Sequence, residues 1–143
     1  MSEFTSLRAY ARAMLHNDCL RLTRATQTMR CSAGWVEIVL HRCGQWQTEL
    51  SIILPNVQVP EHRHVRCESY DLALAGAGCI SVLPRVVDLH PRLDDVPLAA
   101  QLLHVARGAW HGGQAGPQGG AFLTFQRWDG PADFISTDWE TRS

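Results

Sequence analysis

The sequence predicts an all-β protein, an antiparallel jelly-roll sandwich or barrel with a short N-terminal helix, built as one domain over residues 1–143. Three features predict it. Apolar residues alternate with polar ones through several runs, those runs are short, and Gly, Pro and Asn turn signals punctuate them at modest spacing. Helical spacing is clear at the N-terminus.

Within residues 1–17, Thr5 or Ser6 can cap a helix in which Leu7, Tyr10, Ala11, Met14 and Leu15 share a face, with Asn17 placed to end it. The stripe has two readings. It closes one mouth of the chain's own barrel, or it docks on a neighbouring subunit. Residues 18–128 then supply the barrel. Runs 35–42 and 46–54, rich in Trp, Val and Ile, flank Cys43-Gly44 and read as a hairpin. In the second run Trp46, Thr48, Leu50, Ile52 and Leu54 make a dry face, and Gln47, Glu49 and Ser51 a wet one. Pro55-Asn56 turns the chain into residues 57–60 and a histidine-bearing strand. Residues 69–75 continue extended, Gly76-Ala77-Gly78 reads as a turn, and 79–83 returns. The stretch 84–97, with three prolines and Asp94-Asp95, reads as an exposed connection; 98–105 reads as strand. Residues 112–120 read as a flexible Gly-rich loop, 121–128 as the last strand, and 129–143 as a tail in which Phe134, Ile135 and Trp139 are apolar.

Composition excludes several function classes. A net charge of −1 gives no electrostatic reason for a nucleic acid or anionic membrane partner. All 13 basic residues are arginine, so Schiff-base chemistry, a lysine base and a P-loop lysine are ruled out. The five cysteines include no Cys-x-x-Cys, and charged residues interrupt every apolar run at the N-terminus. A reduced, non-secreted, cytoplasmic chain without a membrane span is expected.

Residues 60–71 carry the chemistry. On a strand His62 and His64 project from one face, and Glu68, a further even number along, can join them if the chain resumes extended after one turn. His111, after an apolar run and before the Gly-rich stretch, is the candidate fourth ligand. Imidazoles and a carboxylate suit a divalent transition metal, and Fe, Mn, Ni or Zn all fit. The bland reading is a barrel that keeps these histidines hydrogen-bonded or solvated without metal. Arg66 and Tyr70, which share the ligands' parity, and Trp110, beside His111, are candidates for contact with a small-molecule ligand. Cys67 has the opposite parity and reads as outward-facing or packed. His41, His90 and His104 lack companions at ligand spacing and read as ordinary polar histidines.

His62-x-His64-x3-Glu68, followed by Tyr70, Leu72, Leu74 and Gly76, resembles the first cupin motif, whose two histidines and glutamate bind metal. Ala106-x-Gly108-x2-His111 is similar to the second, with Ala106 in place of its proline and Ala115 in place of its closing asparagine. The resemblance covers residues 46–128 and implies a metal-binding cupin barrel. Trp110-His111-Gly112-Gly113 and Gly119-Gly120-Ala121-Phe122-Leu123, with Gln126 and Trp128, also resemble small phage-encoded cupin-like proteins. That second likeness implies a structural, assembly or binding role, as a homo-oligomer or beside other virion subunits, in host cytoplasm or on a particle. The alternative is a metal-dependent cupin enzyme, a dioxygenase or isomerase, acting on a small oxygenated molecule.

Overall fold

The computed structural model describes residues 4–16, 27–32, 34–89, 95–132 and 138–142. Its elements are α1 (Leu7–His16), β1 (Gln27–Ser32), β2 (Trp35–Cys43), β3 (Trp46–Ile53), β4 (Gln58–Arg63) and β5 (Cys67–Val82), then β6 (Arg85–Leu89), α2 (Leu98–Gln101), β7 (Leu103–Val105), β8 (His111–Trp128) and β9 (Glu140–Thr141). Strands dominate, every pairing is antiparallel, and the architecture is a jelly roll with one N-terminal helix. None of the described helices is long and apolar enough to cross a membrane.

Two long strands hold the two halves together. β5 and β8 pair from Cys67↔Trp128 to Val82↔His111, with register shifts between Ala73 and Ala75 and between Gly76 and Gly78. On one side of those shifts the order runs β1-β2-β3-β8-β5-β7, and on the other β9-β4-β8-β5-β6. A cavity lies between, lined from both halves. Gly76 has φ +74°, and a Cβ there would stand 2.1 Å from the Gly119 carbonyl oxygen. Only glycine lets the two backbones approach so closely.

Several expected loops are therefore strand. Gly76-Ala77-Gly78 bends within β5 instead of ending it, and residues 112–120 lie inside β8. Residues 85–89 of the expected connection form β6, an edge strand on β5 with Val86 67% exposed. In the stretch expected as one strand over 98–105, α2 comes first and β7 follows. The hairpin at Cys43-Gly44 is as expected, Gly44 supplying the positive φ of its tight turn. Asn17, His90 and Asp94 fall outside the described residues.

The apolar core lies outside the cavity. Ser6 caps α1, its Oγ accepting from Ala9 N at 3.1 Å. Leu7, Tyr10, Ala11 and Met14 then pack on Trp46, Leu50, Leu72, Leu123 and Phe125, the outer face of β3, β8 and β5. The helix thus closes no barrel mouth; its stripe is buried on this chain's own sheet. The dry face of β3 divides, Trp46 and Leu50 going under the helix while Ile52 stays 41% exposed. The wet face is not solvent-facing either: Gln47, Glu49 and Ser51 are buried on the inner side.

Tyr10 is wholly buried, and its hydroxyl bridges His41 Nδ1 (2.9 Å) and Thr48 Oγ1 (2.8 Å). His41, expected to be an ordinary histidine, is half-buried there, and burial lowers its pKa. Tyr10→Phe leaves these partners without the hydroxyl and should cost about 1–3 kcal/mol. Urea unfolding checks this: the midpoint should fall with the slope unchanged.

Candidate metal centre

His62 lies near the end of β4, His64 just beyond it, and His111 opens β8 directly opposite His62 in the ladder. Ring centroids are 4.2 Å apart for His62–His111, 5.0 Å for His62–His64 and 5.2 Å for His64–His111. One potential ligand atom from each ring lies within 4.8 Å of those of the other two. Glycines allow this approach. Gly108, at φ +70°, donates its N–H to the His64 carbonyl at 2.8 Å, tying the two histidine loops together. A Cβ on Gly112 would stand 3.1 Å from the Val59 carbonyl oxygen, so glycine lets β8 press on β4 beside His111.

All three rings are oriented through the same nitrogen. His62 Nδ1 bonds the Pro60 carbonyl at 2.7 Å, His111 Nδ1 the Ala109 carbonyl at 2.9 Å, and His64 Nδ1 the Asp138 carbonyl. A carbonyl only accepts, so each Nδ1 carries the proton and each Nε2 the lone pair. Burial pushes the His111 pKa down to about 4; the Ala109 carbonyl partly offsets this and nearby His64 adds to it. His111 is thus neutral at pH 7, the form that coordinates a metal. The residues present fit a divalent transition metal held by three imidazole nitrogens, with one or more positions open for another ligand.

The histidines line a cavity of about 130 Å³ whose lining also carries several buried polar side chains. Glu49, Thr124 and Asp71 form one row across β3, β8 and β5. Gln47, Gln126 and Ser69 form the next. Gln47 Nε2 donates to Glu49 Oε1 at 2.7 Å and Gln126 Nε2 to Glu49 Oε2 at 2.9 Å, so this buried carboxylate is well held. Asp71 is different. It is 6% exposed, it takes a hydrogen bond from Thr124, and its Oδ1 has no hydrogen-bond partner among the described residues. Burial raises its pKa to about 7, with the Thr124 bond opposing.

No protein-family model matches the sequence, and no curated protein matches it. Solved structures do. An RmlC-like cupin from Shewanella frigidimarina superposes with a TM-score of 0.63 at 16% identity, covering 83% of this chain and 97% of that one. A cupin-2 domain from Rhodospirillum rubrum gives 0.60 at 16% identity, over 83% and 73% of the two chains. The fold is that of the cupins. An oxalate decarboxylase also has it, with a TM-score of 0.63 at 14% identity over 82% of this chain and 30% of that one.

In this chain the motif histidines converge and the motif glutamate does not. Parity fails at Glu68 because the bend at Val65 and Arg66 resets it: Cys67, Ser69 and Asp71 line the cavity, and Leu72 packs under α1 on the other face. Glu68 instead pairs with His104 Nε2 at 2.7 Å across the β5–β7 edge. Cys67 accordingly points inward and packs with Trp128 and Ala132, so of its two expected placements the packed one holds and the outward-facing one does not. Burial and then the Glu49, Asp138 and Asp71 carboxylates raise its pKa, which keeps it a thiol. None of the three expected ligand-contact residues is among the described residues lining the cavity. Tyr70 lies beside His104 with the Arg8 guanidinium over its ring, and Arg66 pairs with Asp129 at 2.9 Å. Trp110 has the guanidiniums of Arg63 and Arg142 each 5.0 Å from its ring centroid. Sequence reasoning missed Asp71, Thr124 and Gln126 as cavity residues, although alternation through 67-69-71 carried a signal. For Asp138 and Trp139, also on the cavity wall, spacing carried none.

Two titrations oppose each other in the metal-free protein. His111, lowered from 6.5, stabilises the fold above pH 6.5, and this is lost as pH falls through about 4. Asp71, raised from 3.8, stabilises it below pH 3.8, and this is lost as pH rises through about 7. Asp71→Asn removes the second effect. Between pH 4 and 6.5 the stability of the variant should climb relative to wild type, by at most about 1.4 kcal/mol per pH unit, in denaturant melts of chelator-treated protein.

Proposed function

We propose that this cupin binds one divalent transition metal through His62, His64 and His111 and uses it, with the polar barrel wall, to act on a small oxygen-bearing molecule. The observation that carries the reading is the shared orientation of the imidazoles, whose Nδ1–H groups all point to main-chain carbonyls and which each bring one potential ligand atom within 4.8 Å of the other two. A histidine kept only for packing has no need of that arrangement. Iron, manganese, nickel and zinc all accept three nitrogens, and the donor set does not choose among them.

A bound divalent ion supplies a Lewis acid that polarises an oxygen-bearing group. The chain supplies the rest. Asp71 lines the cavity, and with a pKa near 7 this carboxyl can give or take a proton at neutral pH. Glu49, braced by two glutamines, accepts without moving. Such equipment serves lyase, decarboxylase or isomerase chemistry, and the oxalate decarboxylase of this fold makes an enzyme the preferred reading.

A structural role with like subunits or particle proteins is the second reading. The exposed apolar side chains Leu54 and Val86 favour it, whereas the α1 stripe, buried within the chain, does not. A native mass by light scattering that stays monomeric at all concentrations would remove it.

Elemental analysis of protein purified without chelator tests the metal. About one equivalent of a transition metal is expected, lost in the His62→Ala/His64→Ala double variant and unchanged in Glu68→Gln. Wild-type protein that takes up no metal after loading would overturn the proposal.

A further inference from the structure

The segment 138–142 reaches each of the three histidines or its neighbour. The Asp138 carbonyl accepts from His64 Nδ1, and the Trp139 ring stacks on His62 with centroids 3.3 Å apart and planes 10° from parallel. Thr141 lies opposite His62 in the β4–β9 ladder, and the Arg142 guanidinium covers Trp110, the residue before His111. Ion pairs fasten the segment, Arg63 to Glu140 at 2.7 Å and Arg142 to Glu61 at 2.9 Å. The Asp138 carboxylate accepts from Arg66 N at 2.8 Å and Val65 N at 3.3 Å, the turn that follows His64.

These contacts differ in reach. His62 and His111 take their Nδ1 partners from two residues back on their own stretch of chain, Pro60 and Ala109, so those rings are aimed by local backbone. The partner of His64 comes from 74 residues away. An imidazole swings easily about its outer torsion, so this long-range carbonyl helps to aim His64 at the other two. We infer that Asp138 and Trp139 are positioning residues of the metal centre, and that docking of segment 138–142 sets metal affinity by holding His64 and His62 in line.

This rests on the metal reading given above. Groups that orient a metal-ligating histidine typically account for about 10–100-fold in affinity. Coupling is reciprocal, so a bound ion should hold the segment down by the same factor.

The test uses full-length, metal-free protein titrated with Co(II) against a competing chelator. Asp138→Ala, which keeps the main-chain carbonyl but removes the carboxylate that fastens it at Val65 and Arg66, and Trp139→Ala should each weaken Co(II) binding, by up to about 10–100-fold, with Asp138→Asn and Trp139→Phe recovering most of the loss. Metal-free melting temperatures of the conservative pair should match wild type, separating positioning from folding. Adding Zn(II) to wild type should slow amide exchange at Val65 and Arg66. Alanine variants that bind Co(II) as tightly as wild type, or exchange at Val65 and Arg66 indifferent to Zn(II), would overturn the inference while leaving the metal centre standing. Wild type that binds neither ion overturns both.

Discussion

The long pairing of β5 with β8, resumed after two register shifts, is the constraint on which everything else in this molecule depends. One end of the ladder, Cys67↔Trp128, belongs to the half bearing the buried carboxyls; the other, Val82↔His111, belongs to the half bearing the histidines. Two strands that serve both halves must bend together, and they do so where Gly76 meets Gly119 and Gly120 with no room for a side chain between them. His111, Asp71 and Thr124 are then brought to one cavity by the same ladder that fixes the sheet. Site geometry and fold geometry are one problem here.

The placement of apolar residues follows from it. A jelly roll ordinarily fills its interior to gain stability, yet the inner face here carries Gln47, Glu49, Ser51, Ser69, Asp71, Thr124 and Gln126. Buried polar groups are tolerable only when hydrogen-bonded, and the glutamine-braced Glu49 meets that condition. Hydrophobic stabilisation comes instead from the outer face of β3, β8 and β5, where α1 covers Trp46, Leu50, Leu72, Leu123 and Phe125. Asp71 is the departure from full satisfaction, with one oxygen unpaired and a pKa displaced to about 7. Such departures concentrate where ligands bind.

Much of this was legible in the residues. Period-two alternation and the Cys43-Gly44 turn identified the hairpin, and His-x-His on an extended chain identified two converging rings. The spacing to His111 was read through a motif, and it holds because Gly108 ties that loop to the His64 carbonyl. Glu68 was misread for a physical reason: parity persists only along an unbroken strand, and the bend at Val65 and Arg66 breaks it. Glycine misled in the same way. In residues 112–120 it marks close approach of paired backbones rather than a loop, a distinction that depends on what lies across the sheet. Segment 138–142 was opaque because its contacts are with residues far off in the chain, such as Asp138 with His64.

Keeping the oily core on one side of a sheet and the reactive lining on its other side has a consequence for descent. Exchange of a lining residue such as Ser51, Ser69 or Thr124 leaves the helix-covered packing intact, so mutational drift can retune what the barrel accepts with little loss of foldedness. Relatives of this chain are free to diverge in their cavity lining while sharing one skeleton, and the slow-changing positions among them should be the bend glycines and the residues beneath the helix rather than lining residues such as Ser51 and Ser69.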